Sequence, residues 1–129
     1  MTKIGLIGCG MWGRNLARNL AQLDVLAAVA DHHDENATEL ASQFNSQKCD
    51  FDAILTNPSI DGVVIATSAP SHDKLAIAAL LAGKHVYVEK PLSLTLDGAN
   101  NIANAAEAAG RQVMVGHLIR YHAAFCELQ

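Results

Sequence analysis

The strongest constraint on the fold of this chain is six residues long. Gly8-Cys9-Gly10-Met11-Trp12-Gly13 sets three glycines at GxGxxG spacing directly after a short apolar run, Lys3 to Ile7. A side chain at the first position would obstruct a tight turn, and one at the third would hold a following helix away from the strand. The loop therefore calls for a buried strand before it and a helix after it. That helix reads from about Trp12 to Leu23, with Leu16, Leu20 and Leu23 on one stripe. The alternation then continues. Val25 to Ala30 is a second apolar run ending at Asp31, and Ala37, Leu40, Ala41 and Phe44 mark a helix over about Glu35 to Phe44. A very short third strand falls between Ser46 and Asp50, with Asp50 capping a short helix through Leu55 that stops at Asn57-Pro58. Gly62 to Thr67 reads as a buried strand, and Ser71 caps a helix closed by Gly83. His85 to Val88 is the next strand. An alanine-rich helix runs from about Thr95 to Ala109 up to Gly110, Gln112 to Val115 is the last strand, and an amphipathic segment begins near Ala123. Strands separated by helices of this length predict an α/β fold, a doubly wound parallel sheet with right-handed crossovers in three layers, α/β/α.

Composition excludes several classes. With 129 residues, 50% apolar and 17% charged, the chain can bury one continuous core and is not disordered. The net charge of −4 and the scattered lysines and arginines argue against a nucleic-acid partner. No apolar run approaches the roughly 20 residues that span a bilayer. Cys9, Cys49 and Cys126 are far apart, with neither a CxxC pair nor zinc-site spacing, which fits a reducing, cytoplasmic setting. His32, His33, His117 and His122 show no metal-ligand spacing either, so no metal is expected.

The second glycine carries the chemistry. Without a side chain at Gly10, backbone can approach a pyrophosphate, and the helix N-terminus offers it free N–H groups and the positive end of a dipole. A dinucleotide site also needs an acid about 20 positions on, at the end of the second strand. Asp31 stands there, 18 residues after Gly13, where its carboxylate accepts from adenosine ribose hydroxyls or simply begins a turn or caps the next helix. A carboxylate repels a 2′-phosphate, so NAD is favoured over NADP. His32 and His33 would partly offset that when protonated, and NADP stays open. Methyltransferases using S-adenosylmethionine share a glycine loop and a later acid, but they usually lack the third glycine at this spacing.

Two further segments, Ala66-Thr67-Ser68-Ala69-Pro70-Ser71-His72 and Glu89-Lys90-Pro91, stand at the carboxyl ends of the fourth and fifth strands, where open α/β sheets bind ligands. With the glycine loop, the Glu-Lys-Pro triplet after His-Val-Tyr-Val and the run Gly116-His117-Leu118-Ile119-Arg120-Tyr121-His122, nearly the whole chain resembles the Gfo/Idh/MocA oxidoreductases. That resemblance implies a Rossmann-type dinucleotide-binding domain over residues 1–122. Residues 123–129 would begin the connection to a C-terminal substrate domain, which lies outside this sequence.

The implied roles follow residue by residue. Gly8 and Gly13 shape the loop, and the backbone of Gly10, Met11 and Trp12 cradles the pyrophosphate. Thr67, Ser68, Ala69, Pro70 and His72 line the nicotinamide side, although His72 could equally start a helix. Glu89 and Lys90 hold the nicotinamide ribose, and Lys90 is also the catalytic candidate, touching a substrate hydroxyl. Pro91 shapes the turn, through a cis bond if one is present, and Arg120 reaches the nicotinamide or the substrate. The family acts mostly on sugars, cyclitols and nucleotide sugars. Its second domain supplies a sheet for homo-oligomers and usually the histidine acid/base. Without that domain an apolar patch from Val115 to Phe125 would be bare and prone to self-association. The interval from Phe44 to Phe51 looks shorter than the family's usual connection. The other reading is a non-catalytic NAD-binding module or sensor, which would have no use for Lys90.

Overall fold

The computed structural model describes Met1–Leu128. Six strands, β1 (Ile4–Ile7), β2 (Leu26–Ala30), β3 (Gln47–Lys48), β4 (Gly62–Ile65), β5 (His85–Val88) and β6 (Val113–Val115), form one sheet in the order β3-β2-β1-β4-β5-β6. Every pair is parallel, with Ile7 beside both Ala30 and Ile65, and Val88 beside Val115. The helices are α1 (Met11–Gln22), α2 (Asp34–Phe44), α3 (Phe51–Thr56), α4 (His72–Leu81), α5 (Leu96–Ala109) and α6 (Ala123–Cys126).

Two cores explain the three layers. On one face Leu6, Val29 and Val64 pack against Ala17 of α1 and Ala37, Leu40 and Ala41 of α2. On the other, Ile7, Val63, Ile65 and Val88 pack against Ile54, Ala76, Leu80 and Ile102 of α3, α4 and α5. Gly62, Val63, Val64 and Ile65 are all buried because β4 lies inside the sheet with side chains facing both layers. The first layer is incomplete. Tyr87 is half-buried and Met114 is 45% exposed at the β5–β6 edge, followed by exposed Leu118, Ile119 and Tyr121. The apolar patch expected there is present.

The third strand is reduced to two exposed residues, Gln47 and Lys48. β4 stops at Ile65, two residues before the expected Thr67. Ser71 does precede α4, but its side chain makes no cap. A single 3-10 turn, Ala69–Ser71, feeds straight into the helix, and the Ser71 hydroxyl bonds Thr67 Oγ1 (2.7 Å) and Ser68 O (2.8 Å) instead. Asp50 likewise precedes α3 without capping it. Thr95 does cap α5, accepting from Gly98 N at 3.0 Å. The ends of α4 and α5 turn on glycines at positive φ, Gly83 and Gly110. Lys84 is buried with its ammonium donating to Asn57 O and Ile60 O at 2.7 Å each, pinning the α3–β4 connection to the start of β5.

Candidate cofactor site

The strand order reverses between β1 and β4, and the loops leaving these strands part above that switch point, where open α/β sheets take ligands. Gly8 adopts φ 97° there, and a Cβ on it would lie 2.6 Å from Ala66 O, so only glycine serves. A Cβ on Gly13 would drive into Gly8 O. These two glycines serve the protein's own packing. Gly10 differs: nothing lies within 4 Å of where its Cβ would be, and that open space faces the cleft. The first turn of α1 leaves the N–H groups of Met11, Trp12 and Gly13 without helical partners, and it carries no acidic side chain. Open space over bare backbone, beside free donors and a positive dipole end, fits a pyrophosphate.

Asp31 follows β2 with its side chain only 6% exposed. Cys9 N donates to Oδ2 at 2.6 Å and His33 N donates to Oδ1 at 2.7 Å. The carboxylate thus both locks the glycine loop and begins the turn into α2. A carboxylate offers about four acceptor positions. Two are used, and the remaining lone pairs suit the paired hydroxyls of a ribose. Burial, with the Asp31 charge second, pushes the Cys9 thiol up to about 12, so no thiolate competes in the loop near neutral pH.

The cleft has two lobes that share Ala66 and Thr67. The larger, about 570 Å³, takes in Gly8, Gly10, Asp31, Ser68 and the connection before α3. The smaller, about 320 Å³, is lined by Trp12, Glu89, Lys90 and Leu118. Glu89 is buried, and Tyr87 Oη donates to its Oε1 at 2.8 Å. Burial and that carboxylate push the Tyr87 phenol well above its ordinary range. Lys90 is exposed at the mouth and precedes a cis peptide bond to Pro91.

Two expected residues sit elsewhere. His72 is 1% exposed and faces inward; Nδ1 lies 2.7 Å from Pro91 O and Nε2 lies 3.0 Å from Thr67 O. It joins the two loops of the smaller lobe from behind rather than lining it. Arg120 lies in a 3-10 turn, Leu118–Tyr121, and faces the β6 edge with His117 and Tyr121, while Leu118 turns toward Lys90. Met11, Ala69 and Pro70 border the cleft in sequence without lining either lobe. The sequence reading missed Asn36, Asp50, Phe51 and Leu75, which wall the larger lobe. Asp50 and Phe51 follow the end of β3, which is the available signal, whereas Asn36 of α2 and Leu75 of α4 carry none. Among the described residues no group of three His, Cys, Asp or Glu could hold a metal, and no helix is long and apolar enough to cross a membrane.

A glycine loop packed at the switch point, free helix N–H groups and a carboxylate at the end of β2 define a dinucleotide-binding α/β domain. Residues 2–117 match the family described as "Oxidoreductase family, NAD-binding Rossmann fold", and the chain belongs to this Gfo/Idh/MocA family. Inositol 2-dehydrogenase of Acidothermus cellulolyticus is 36% identical over 98% of this chain and 39% of that protein. Among solved structures, UDP-N-acetylglucosamine 3-dehydrogenase GnnA of Acidithiobacillus ferrooxidans aligns with TM-score 0.92 and 32% identity, covering 98% of this chain and 40% of that one. GenD2 from gentamicin A biosynthesis, in complex with NAD, aligns with TM-score 0.93 and 29% identity, covering 98% and 37%. The chain therefore spans about two fifths of the length of these relatives.

Proposed function

We propose that this chain is the cofactor-binding part, residues 1–122, of a dehydrogenase acting on a hydroxyl of a sugar, cyclitol or nucleotide sugar. The observation that carries the reading is the two-lobed cleft, with Asp31 in one lobe and Glu89 and Lys90 in the other. A non-catalytic NAD module needs the first lobe but has no use for a lysine at the mouth of the second. The relatives named inositol 2-dehydrogenase and UDP-N-acetylglucosamine 3-dehydrogenase support the substrate class.

In this reading the N–H groups at the start of α1 bind the pyrophosphate, and Asp31 accepts from the adenosine ribose. The Asp31 charge favours NAD over NADP, which would bring a 2′-phosphate against it. Thr67 and Trp12 wall the nicotinamide lobe and exclude water. Glu89, held by Tyr87, accepts from the nicotinamide ribose. The Lys90 ammonium donates to the substrate oxygen, polarising the carbonyl that develops there as the carbon is oxidised, while a separate base takes the hydroxyl proton. Bound NAD supplies the hydride acceptor. Residues 123–129 lead toward the substrate part, with Gln129 outside the described residues. The 129-residue chain alone turns over little or nothing, and the longer protein is a cytoplasmic homo-oligomer.

The test is calorimetric titration of the chain with NAD, NADP and S-adenosylmethionine, repeated on Asp31→Ala. NAD should bind best. Loss of a charged acceptor, about 1.5–3 kcal/mol, should weaken it at least about tenfold in the variant. Binding of S-adenosylmethionine in preference to NAD, or of none of the three, overturns the reading.

A further inference from the structure

The larger lobe holds one acidic side chain that the dinucleotide reading leaves unused. Asp50 occupies the position before α3 where an aspartate ordinarily accepts from free helix N–H groups, yet it makes no such bond. Asp50 is exposed and borders the lobe beside Phe51. The β3–α3 connection lies two strands from the glycine loop in the order β3-β2-β1, about 10 Å at ordinary strand spacing. With pyrophosphate over Gly10 and ribose on Asp31, the next part of the ligand outward from β1 is the base.

The walls there suit a flat aromatic ring. Phe51, Leu75 and Ala30 give apolar surface, and the polar groups differ in what they are free to do. Asp31 already accepts from two backbone amides, and the Ser71 hydroxyl is committed to Thr67 and Ser68. Asn36 can donate as well as accept, so it cannot distinguish an amino group from a carbonyl. An ionised carboxylate only accepts.

We propose that Asp50 reads the base of the dinucleotide, its carboxylate accepting from the exocyclic amino group of an adenine whose ring lies against Phe51. The proposal rests on the dinucleotide reading of the same cleft and adds a base specificity to it. Hypoxanthine, with a carbonyl in place of the amino group, sets acceptor against acceptor.

The experiment titrates the chain calorimetrically with NAD and with nicotinamide hypoxanthine dinucleotide, for the native sequence, Asp50→Asn and Asp50→Ala. Asp50 is exposed and caps nothing, so both variants keep the fold, checked by thermal unfolding. The native chain should prefer NAD by about tenfold, the scale of one hydrogen bond to a charged group. Asparagine can donate to the carbonyl or accept from the amino group, so the preference should collapse toward unity in Asp50→Asn. Alanine should lose the preference and weaken NAD. NAD binding with no base preference, or a preference unchanged in both variants, overturns the role of Asp50 alone. Failure of the native chain to bind NAD overturns the dinucleotide reading and this proposal with it.

Discussion

Alanine at Gly10 and alanine at Gly13 should separate binding from folding. Gly10 has φ −72° and ψ −166°, open to any residue, and no atom lies within 4 Å of its would-be Cβ. Replacing glycine by alanine where the backbone permits it stabilises by about 0.4–1 kcal/mol through the unfolded chain. Gly10 is also the residue before α1, where alanine is a poorer cap than glycine by a similar amount. The two terms nearly cancel, leaving Gly10→Ala within about 0.5 kcal/mol of the native stability, or about 3 °C in Tm. The methyl group nevertheless fills the space assigned to pyrophosphate. Losing one hydrogen bond to a charged group, about 1.5–3 kcal/mol, weakens NAD by at least about tenfold. At Gly13 the Cβ meets Gly8 C at 2.8 Å and Gly8 O closer still, and both are backbone atoms that cannot rotate away. Gly13→Ala should lose about 1–3 kcal/mol of stability, or more, together with binding. Thermal unfolding and calorimetric titration on the same preparations read both quantities. Native NAD affinity in Gly10→Ala would refute the pyrophosphate cradle. Unaltered stability in Gly13→Ala would refute the packing argument.

The Cys9 thiol gives a pH dependence of known sign. Its pKa stands near 12 in the folded chain, so the unfolded thiol, near 8.5, loses its proton first. The stabilisation is fully present below about pH 8.5 and is lost as pH rises toward 12, by about 2 kcal/mol at pH 10. Urea unfolding at pH 8 and pH 10 should fall more steeply for the native chain than for Cys9→Ala; equal slopes would remove Cys9 as the cause. Lys84→Met should lose about 1–3 kcal/mol in urea unfolding, because the carbonyls of Asn57 and Ile60 lose their donor. A variant as stable as the native chain would mean that the cost of burying the ammonium cancels its two bonds.

Much of the fold is legible in the sequence, and for physical reasons. At Gly8 and Gly13 of GxGxxG backbone sterics fix residue type and spacing together, and Asp31 and Glu89-Lys90 stand at strand ends, which the strand order brings to one cleft. The β4 run was legible because a strand buried on both faces must be apolar throughout. β3 falls within the interval from Ser46 to Asp50 expected for it but shrinks to Gln47–Lys48. Its exact bounds were not legible, since two exposed residues held by a neighbour's backbone need no particular side chains. Side-chain direction was the other blind spot. Ser71 reads as a cap, but the 3-10 turn before it rotates the hydroxyl back. Arg120 and Leu118 exchange places for the same kind of reason, because a tight turn decides which of them faces Lys90. His72 reads as a cleft residue in sequence yet is buried, and no spacing announces two carbonyls, one from each of two loops, converging on one ring.

That convergence bears on how such a domain can be re-engineered. Both ring nitrogens of His72 lie within hydrogen-bond distance of a carbonyl, one on each loop, so a single buried side chain ties the two loops together. The loop carrying Thr67 and the turn carrying Lys90-Pro91 are thereby one mechanical part, although 19 residues separate His72 from Pro91. Transplanting either loop from a relative to alter specificity would strand the ring against a foreign backbone. The exchangeable unit is the pair of loops with their shared histidine, and it should be moved whole.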